Sequence, residues 1–190
     1  MSCKVSAMVG RPRSEAARKA ILRAALDLCA RDGYQNVTMK GIAQAAGSGR
    51  QTVYRWWQTK AQVLLESLTG VLAEEVPEVP ETGDARADLV TFLERTFVLA
   101  QGVAGQVVTG LMADAQSDPG LAAELREKII TPRRAALRSI LARGAVPGDV
   151  DLELAVDLVY GAMWYRLLNR HAEVNTDLAE EIAGLLGRIR

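Results

Sequence analysis

Histidine and cysteine are almost missing from these 190 residues: there is one histidine, His171, and two cysteines, Cys3 and Cys29. One histidine leaves little material for a histidine-based metal site or a Ser-His-Asp triad. Two cysteines in a chain of this length make no disulfide framework and fit a reducing, cytoplasmic compartment. A metal-ligand cluster, a nucleophile elbow and a phosphate loop of the right spacing are absent too. The chain therefore reads as no enzyme, with no catalytic residue, metal or cofactor. Strand-like alternation is also lacking. Ala, Leu, Arg and Glu dominate, and the whole chain reads as helix.

Long hydrophobic runs are scarce. Met1–Gly10 is too short and broken for the apolar region of a signal peptide. The longest uncharged run, Thr96–Ala113, contains Thr96, Gln101, Gly102, Gly105, Gln106, Thr109 and Gly110. It reads as two buried helix pieces meeting near Gly102–Gly105, not as a membrane span.

Net charge is also missing overall, with 23 basic and 23 acidic residues, but the balance hides a division. Residues 1–68 carry +7 and the remainder carries −7. Such asymmetry suggests that one part meets a polyanion and the other does not.

What is present is a series of amphipathic segments. Ile21, Leu22, Ala25, Leu28 and Cys29 form one apolar stripe on a helix from about Ser14 to Arg31, stopped by Gly33. Cys29 on that stripe is expected to be a small core residue. Thr38 is placed to cap a short helix, Met39–Ala46. Ala46-Gly47-Ser48-Gly49 breaks it, and a second short helix, Arg50–Trp56, follows. Thr59-x-x-Gln62 has capping-box spacing and opens a helix that ends before Pro77. Pro77–Gly83 is the clearest linker. Beyond it, helices are expected at about Asp84–Val103, Gln106–Gln116, Pro119–Arg143, Leu152–His171 and Asp177–Ile189. Pro132 should kink or split the third of these.

Two short helices joined by a glycine-containing turn, set in the basic part, match a helix-turn-helix. An α-helix fits the major groove of B-DNA, and the second helix of such a pair presents its N-terminal residues to base edges. Ahead of it, Gly10-Arg11-Pro12-Arg13 reads as an extended basic arm whose Arg11 and Arg13 suit a narrow minor groove.

At these motifs the sequence resembles a known family. Ala24-Ala25-Leu26, Asp32-Gly33-Tyr34, Val37-Thr38, Ile42–Gly47 and Thr52–Trp57 followed by Lys60 are similar to the DNA-binding domain of TetR-type transcriptional regulators. The residues beyond share the family's habit of a helical ligand-binding and dimerisation domain. Pro132-Arg133-Arg134 and Tyr160–Leu168 look similar to one C-terminal subtype. The resemblance implies DNA contacts from Thr38, Ser48, Arg50, Gln51, Thr52, Tyr54, Arg55 and Lys60, with Arg50, Gln51 and Thr52 facing bases and Thr38 and Lys60 facing phosphates. Trp57 falls where the family has a core aromatic. Ser48-Gly49 departs from the usual pair before the recognition helix, which is expected to lack its side-chain cap.

The expected fold is all-α, an N-terminal three-helix helix-turn-helix domain followed by a helical ligand-binding and dimerisation domain. The chain divides into a basic arm at 1–13, the helix-turn-helix at 14–60 and the helical domain at 61–190. Leu154–Tyr165 has one charge in its length, and a helix apolar nearly all round needs a second surface. The stripe Leu178, Ile182, Leu185, Leu186 and Ile189 adds to it. A homodimer through about 152–171 and 177–189 is therefore expected. The resemblance further implies a small-molecule effector, with Phe92, Phe97, Met112, Tyr160, Met163 and Trp164 as wall residues. The function expected is that of a repressor binding a palindromic operator in double-stranded DNA, away from any membrane. An enzyme, or a dimeric helical module that has lost DNA binding, are the competing readings.

Overall fold

The computed structural model describes residues 11–75 and 80–188. Ten α-helices and no strand lie among these residues. In chain order they are α1 (Arg11–Asp32), α2 (Met39–Ala45), α3 (Arg50–Trp56), α4 (Lys60–Glu75), α5 (Ala85–Gln101), α6 (Val103–Asp114), α7 (Pro119–Leu125), α8 (Thr131–Ile140), α9 (Leu152–Asn169) and α10 (Thr176–Leu186).

Helix α1 starts three residues ahead of the expected Ser14. Arg11 and Arg13 thus lie on the first turn of a helix and not on an extended arm. Pro12 allows this, because a proline in the first turn forfeits no helical hydrogen bond. The rest of that arm, and Cys3, lie outside the described residues.

Two apolar cores organise the chain, and they do not follow its linear order. The first gathers Ile21, Ala25 and Cys29 of α1, Ile42 of α2, Val53 of α3 and Leu64 and Leu68 of α4. It also takes in Val107 and Leu111 of α6 and Leu121 and Leu125 of α7. The second joins α5, α8, α9 and α10 through Leu93, Phe97, Leu137, Ile140, Val156, Val159 and Ile182. Between them the chain turns by 73° from α5 into α6. That corner is the break expected near Gly102–Gly105. A Cβ on Gly105 would stand 1.7 Å from the carbonyl oxygen of Ala100, so only glycine fits there.

Pro132 acts as its chemistry requires. It has no N–H and its ring crowds the carbonyl four residues back. The chain responds by widening into a π turn over Arg126–Ile130 before α8 resumes. Caps set several other boundaries. Asp84, Asp118, Asp151 and Asn175 each accept from backbone N–H groups at the starts of α5, α7, α9 and α10.

Candidate functional site: a nucleic-acid interface and an internal cavity

The helix-turn-helix is built from a few local devices. Thr38 Oγ1 accepts from the Gly41 N–H at 3.0 Å and starts α2. A Cβ on Gly41 would sit 3.1 Å from that hydroxyl oxygen, so the glycine leaves room for the cap. Gly47 takes φ +60° in the turn, a left-handed conformation that glycine adopts without strain. As expected, α3 has no side-chain cap, and its first bonds run to the Gly49 carbonyl. Val53, fully buried, pins α3 to the core.

Around that pin, α3 turns Arg50, Gln51, Tyr54 and Arg55 to solvent. Thr52 and Ser48 are half-buried, and Thr38 is exposed. Arg55 lies over the Trp56 ring, 5.1 Å from its centroid. Trp57 is buried, and its indole N–H donates to Glu66 Oε2 at 3.0 Å. The other oxygen of Glu66 is 2.7 Å from Arg18. At the head of α4, the Gln62 N–H donates to Thr59 Oγ1 at 3.3 Å, while Gln62 Oε1 accepts from the Gln58 N–H at 2.7 Å. The capping box is thus closed one residue earlier than its usual form.

Lys60 faces elsewhere than the recognition helix. Its ammonium donates to the carbonyls of Tyr34 and Gln35 at 3.0 and 3.2 Å and lies over the Tyr34 ring. Lys40 is exposed in the first turn of α2, beside the motif residues but outside the motif itself, so sequence spacing does not mark it.

Tyr34 joins the head to the helices behind it. Its hydroxyl donates to Asp114 Oδ2 of α6 at 2.6 Å. Its ring rests where a side chain at Gly110 would be, since a Cβ there would approach the ring to 2.1 Å. Burial, with the Asp114 carboxylate next in effect, pushes the Tyr34 phenol far above its ordinary pKa.

The same α6 forms one wall of a cavity of about 250 Å³ between the two cores. Four of the six residues expected around a ligand, Met112, Tyr160, Met163 and Trp164, line it. Phe92 and Phe97 do not; both are buried in the second core. Leu68 and Leu72 of α4, Leu99, Ala104, Val108, Ile129 and Ile130 complete the apolar lining. The polar groups are Thr96, Arg133, Arg134 and Tyr160. Burial raises the Tyr160 phenol, against the pull of nearby Arg133.

On the opposite side, α9 exposes Leu154, Leu158, Tyr165 and Leu168 along one line, and α10 adds Leu185. The expected α10 stripe needs correction. Leu178, Ile182 and Leu186 pack inside the second core, because α10 leans on α5, and only Leu185 faces out. Ile189 lies outside the described residues.

A three-helix head with its second short helix turned to solvent, packed on α6 and α7 of a body with an apolar cavity, has the architecture of a helix-turn-helix transcriptional regulator. Comparison with known proteins agrees. Residues 21–67 match "Bacterial regulatory proteins, tetR family", and residues 79–186 match "Tetracyclin repressor-like, C-terminal domain". The chain is 36% identical to the uncharacterized HTH-type transcriptional regulator YdeS of Bacillus subtilis, covering 91% of this chain and 89% of that one. It is 29% identical to the DNA-binding transcriptional repressor TetR of Mycobacteroides abscessus, over 82% and 84% of the two chains. Among solved structures, the TetR family regulator SCO0332 matches with a TM-score of 0.71 at 30% identity, covering 92% and 98%. FadR from Bacillus subtilis, solved with stearoyl-CoA, shares the fold with a TM-score of 0.70 at 22% identity, covering 90% and 99%. The chain belongs to the TetR family of transcriptional regulators.

Proposed function

We propose that this regulator is a repressor that binds an imperfect palindrome as a dimer and leaves it when a small molecule fills the cavity. The observation that carries the reading is the face of α3. Arg50, Gln51 and Tyr54 stand outward with no side-chain partner among the described residues, on a helix of the diameter that enters a major groove. Arg50 is the residue for bidentate contact with guanine and Gln51 for adenine. Thr52 stands with them toward the bases, and Thr38, Ser48 and Arg55 flank them toward the phosphates, with Lys40 in the first turn of α2. Lys60 contributes by holding the Tyr34 turn and has a third N–H left for a phosphate. The repressor of Mycobacteroides abscessus, a relative over most of the chain, supports repression over activation.

The outward apolar line on α9 supports the dimer, for such a line in water favours a second copy. Two recognition helices then lie about 34–36 Å apart or somewhat more. Release follows from the joint. A ligand against Ala104, Val108 and Met112 bears on α6, and α6 holds the head through Gly110 and Asp114. A ligand that fits one setting of α6 better than another shifts the head between a DNA-competent and an incompetent spacing.

Mobility shift of the purified protein with the DNA flanking its own gene tests the reading. Retardation is expected at low salt, stoichiometric with a dimer. No retardation of any such fragment at low salt would sink the proposal.

A further inference from the structure

Arg133 and Arg134 are neighbours in sequence and opposites in surroundings. The guanidinium of Arg134 is charge-paired, meeting Glu153 at 2.9 Å and also Asp157. Arg133, in contrast, forms no ion pair among the described residues. One of its terminal nitrogens donates to Thr96 Oγ1 at 2.6 Å, and its guanidinium lies over the Phe92 ring, 4.9 Å from the centroid. Thr96 is itself buried and donates its hydroxyl to the Phe92 carbonyl at 2.8 Å, so its lone pairs are turned to Arg133. The Tyr160 hydroxyl donates to the Arg133 carbonyl at 3.0 Å and fixes the backbone as well. The side chain is thus held in place at both ends, on the wall of the cavity.

A guanidinium has five N–H donors, and the Thr96 bond uses one of them. A half-buried cation beside hydrocarbon, without a counter-ion, is costly unless something anionic joins it. Apart from Thr96, Tyr160 and the carboxylate-paired Arg134, the rest of the wall is hydrocarbon, with Leu72, Leu99, Val108, Met112, Ile130 and Trp164 among its residues. The cavity's volume of about 250 Å³ lies just below the roughly 300–1,000 Å³ of ordinary ligand pockets and suits a small molecule.

We infer that the cavity takes a small amphiphilic monoanion, a carboxylate on a compact apolar body, with the carboxylate received by the fork of Arg133. The fork matches a carboxylate in two parallel hydrogen bonds. A neutral molecule of the same size leaves those donors unmet, and an amine meets a like charge. This deepens the effector reading and relies on it only for the biological consequence; binding itself stands apart.

Calorimetric titration of the full chain at pH 7 with octanoate, octan-1-ol and octylamine tests the inference. Octanoate is expected to bind once per chain, roughly ten- to hundredfold tighter than octan-1-ol, the worth of a hydrogen bond to a charged group. Octylamine is expected not to bind. Arg133→Gln should erase the preference for octanoate over octan-1-ol. Arg133→Lys, which keeps the charge without the fork, should retain part of it and covers the case in which the glutamine variant does not fold. Val108→Phe fills the space and should abolish binding of both, with thermal melting confirming that it is folded. Equal affinity for octanoate and octan-1-ol, a preference that survives Arg133→Gln, or binding that survives Val108→Phe would each overturn the inference. Mobility shift on the same samples separates the two ideas. Octanoate that binds without releasing operator refutes the release mechanism and leaves the anion site standing. Operator bound normally by a protein that ignores octanoate refutes the anion site and leaves the regulator standing.

Discussion

Two helices of this molecule turn side chains outward, and they do so in opposite chemistries. The seven residues of α3 show solvent Arg50, Gln51, Tyr54 and Arg55 and keep one residue, Val53, fully buried. The eighteen residues of α9 show solvent Leu154, Leu158, Tyr165 and Leu168 while burying Val156, Val159 and Met163 behind them. A polar, cationic face is stable in water and gains from meeting a polyanion. An apolar face gains from being covered. On the proposed reading, the first needs no permanent partner and the second does, so binding through α3 is reversible while association through α9 is constant. That is the division of labour a DNA switch requires.

The comparison breaks most sharply at α9. Leu158→Asp puts a charge in the centre of the apolar line. It should leave a folded monomer by sedimentation and weaken operator binding by on the order of a hundredfold or more, because the second half-site no longer adds its affinity. If Leu158→Asp remains a dimer, the apolar line is not the subunit contact. At the other face, Arg50→Ala should lose ~1–3 kcal/mol of discrimination at one base pair. Binding of a panel of operator variants reads this directly, since preference flattens at one symmetric position in each half-site.

Two lysines sharpen the picture of the cationic face. Lys40 is exposed in the first turn of α2, whereas Lys60 is tied to the Tyr34 and Gln35 carbonyls. Lys40→Ala should lower the salt slope of binding by about 0.9 per half-site with no change in melting temperature. Lys60→Ala should lower the melting temperature too. Identical behaviour of the two variants would remove the structural role given to Lys60.

The smallest effect is expected at the joint between the two regions. Tyr34→Phe removes the bond to Asp114 and should cost about 1 kcal/mol, a shift of about 2–4 °C in a chain of this size. Because the folded Tyr34 pKa is raised, its contribution is fully present below the unfolded value, about 10, and is lost as pH rises above it. The melting temperatures of wild type and Tyr34→Phe should therefore converge in alkaline buffer.

Local chemistry made the head legible in the sequence. Thr38, Gly47, Thr59 and Gln62 act within a few residues of themselves, so their spacing carries their roles. The corner at Gly102–Gly105 and the disturbance before Pro132 were readable for the same reason. What escaped was long-range. Tyr34 meets Asp114 across eighty positions, and nothing near either residue marks the pair. Helices α6 and α7 join the core of the head although the linker at Pro77–Gly83 separates them from it in sequence. Phe92 and Phe97 have the same spacing as residues that line the cavity, and only packing sends them inward. The α10 stripe was visible as a stripe, but periodicity does not say whether an apolar face covers its own subunit or another. The sequence marks Arg133 only as part of Pro-Arg-Arg; among the described residues it meets no carboxylate, while Arg134 takes two.

Val53 alone secures α3 in full burial, and that has an evolutionary consequence. Side chains at 50, 51 and 54 hold nothing else in place, so they can change without unsettling the scaffold. After gene duplication, a daughter protein can drift to a different operator by a handful of substitutions while keeping its subunit pairing and its cavity. On the proposed reading, sequence preference is the most quickly rewritten property of this molecule, because Val53, with Trp56 packed beside the same core, holds α3 without help from its outward face.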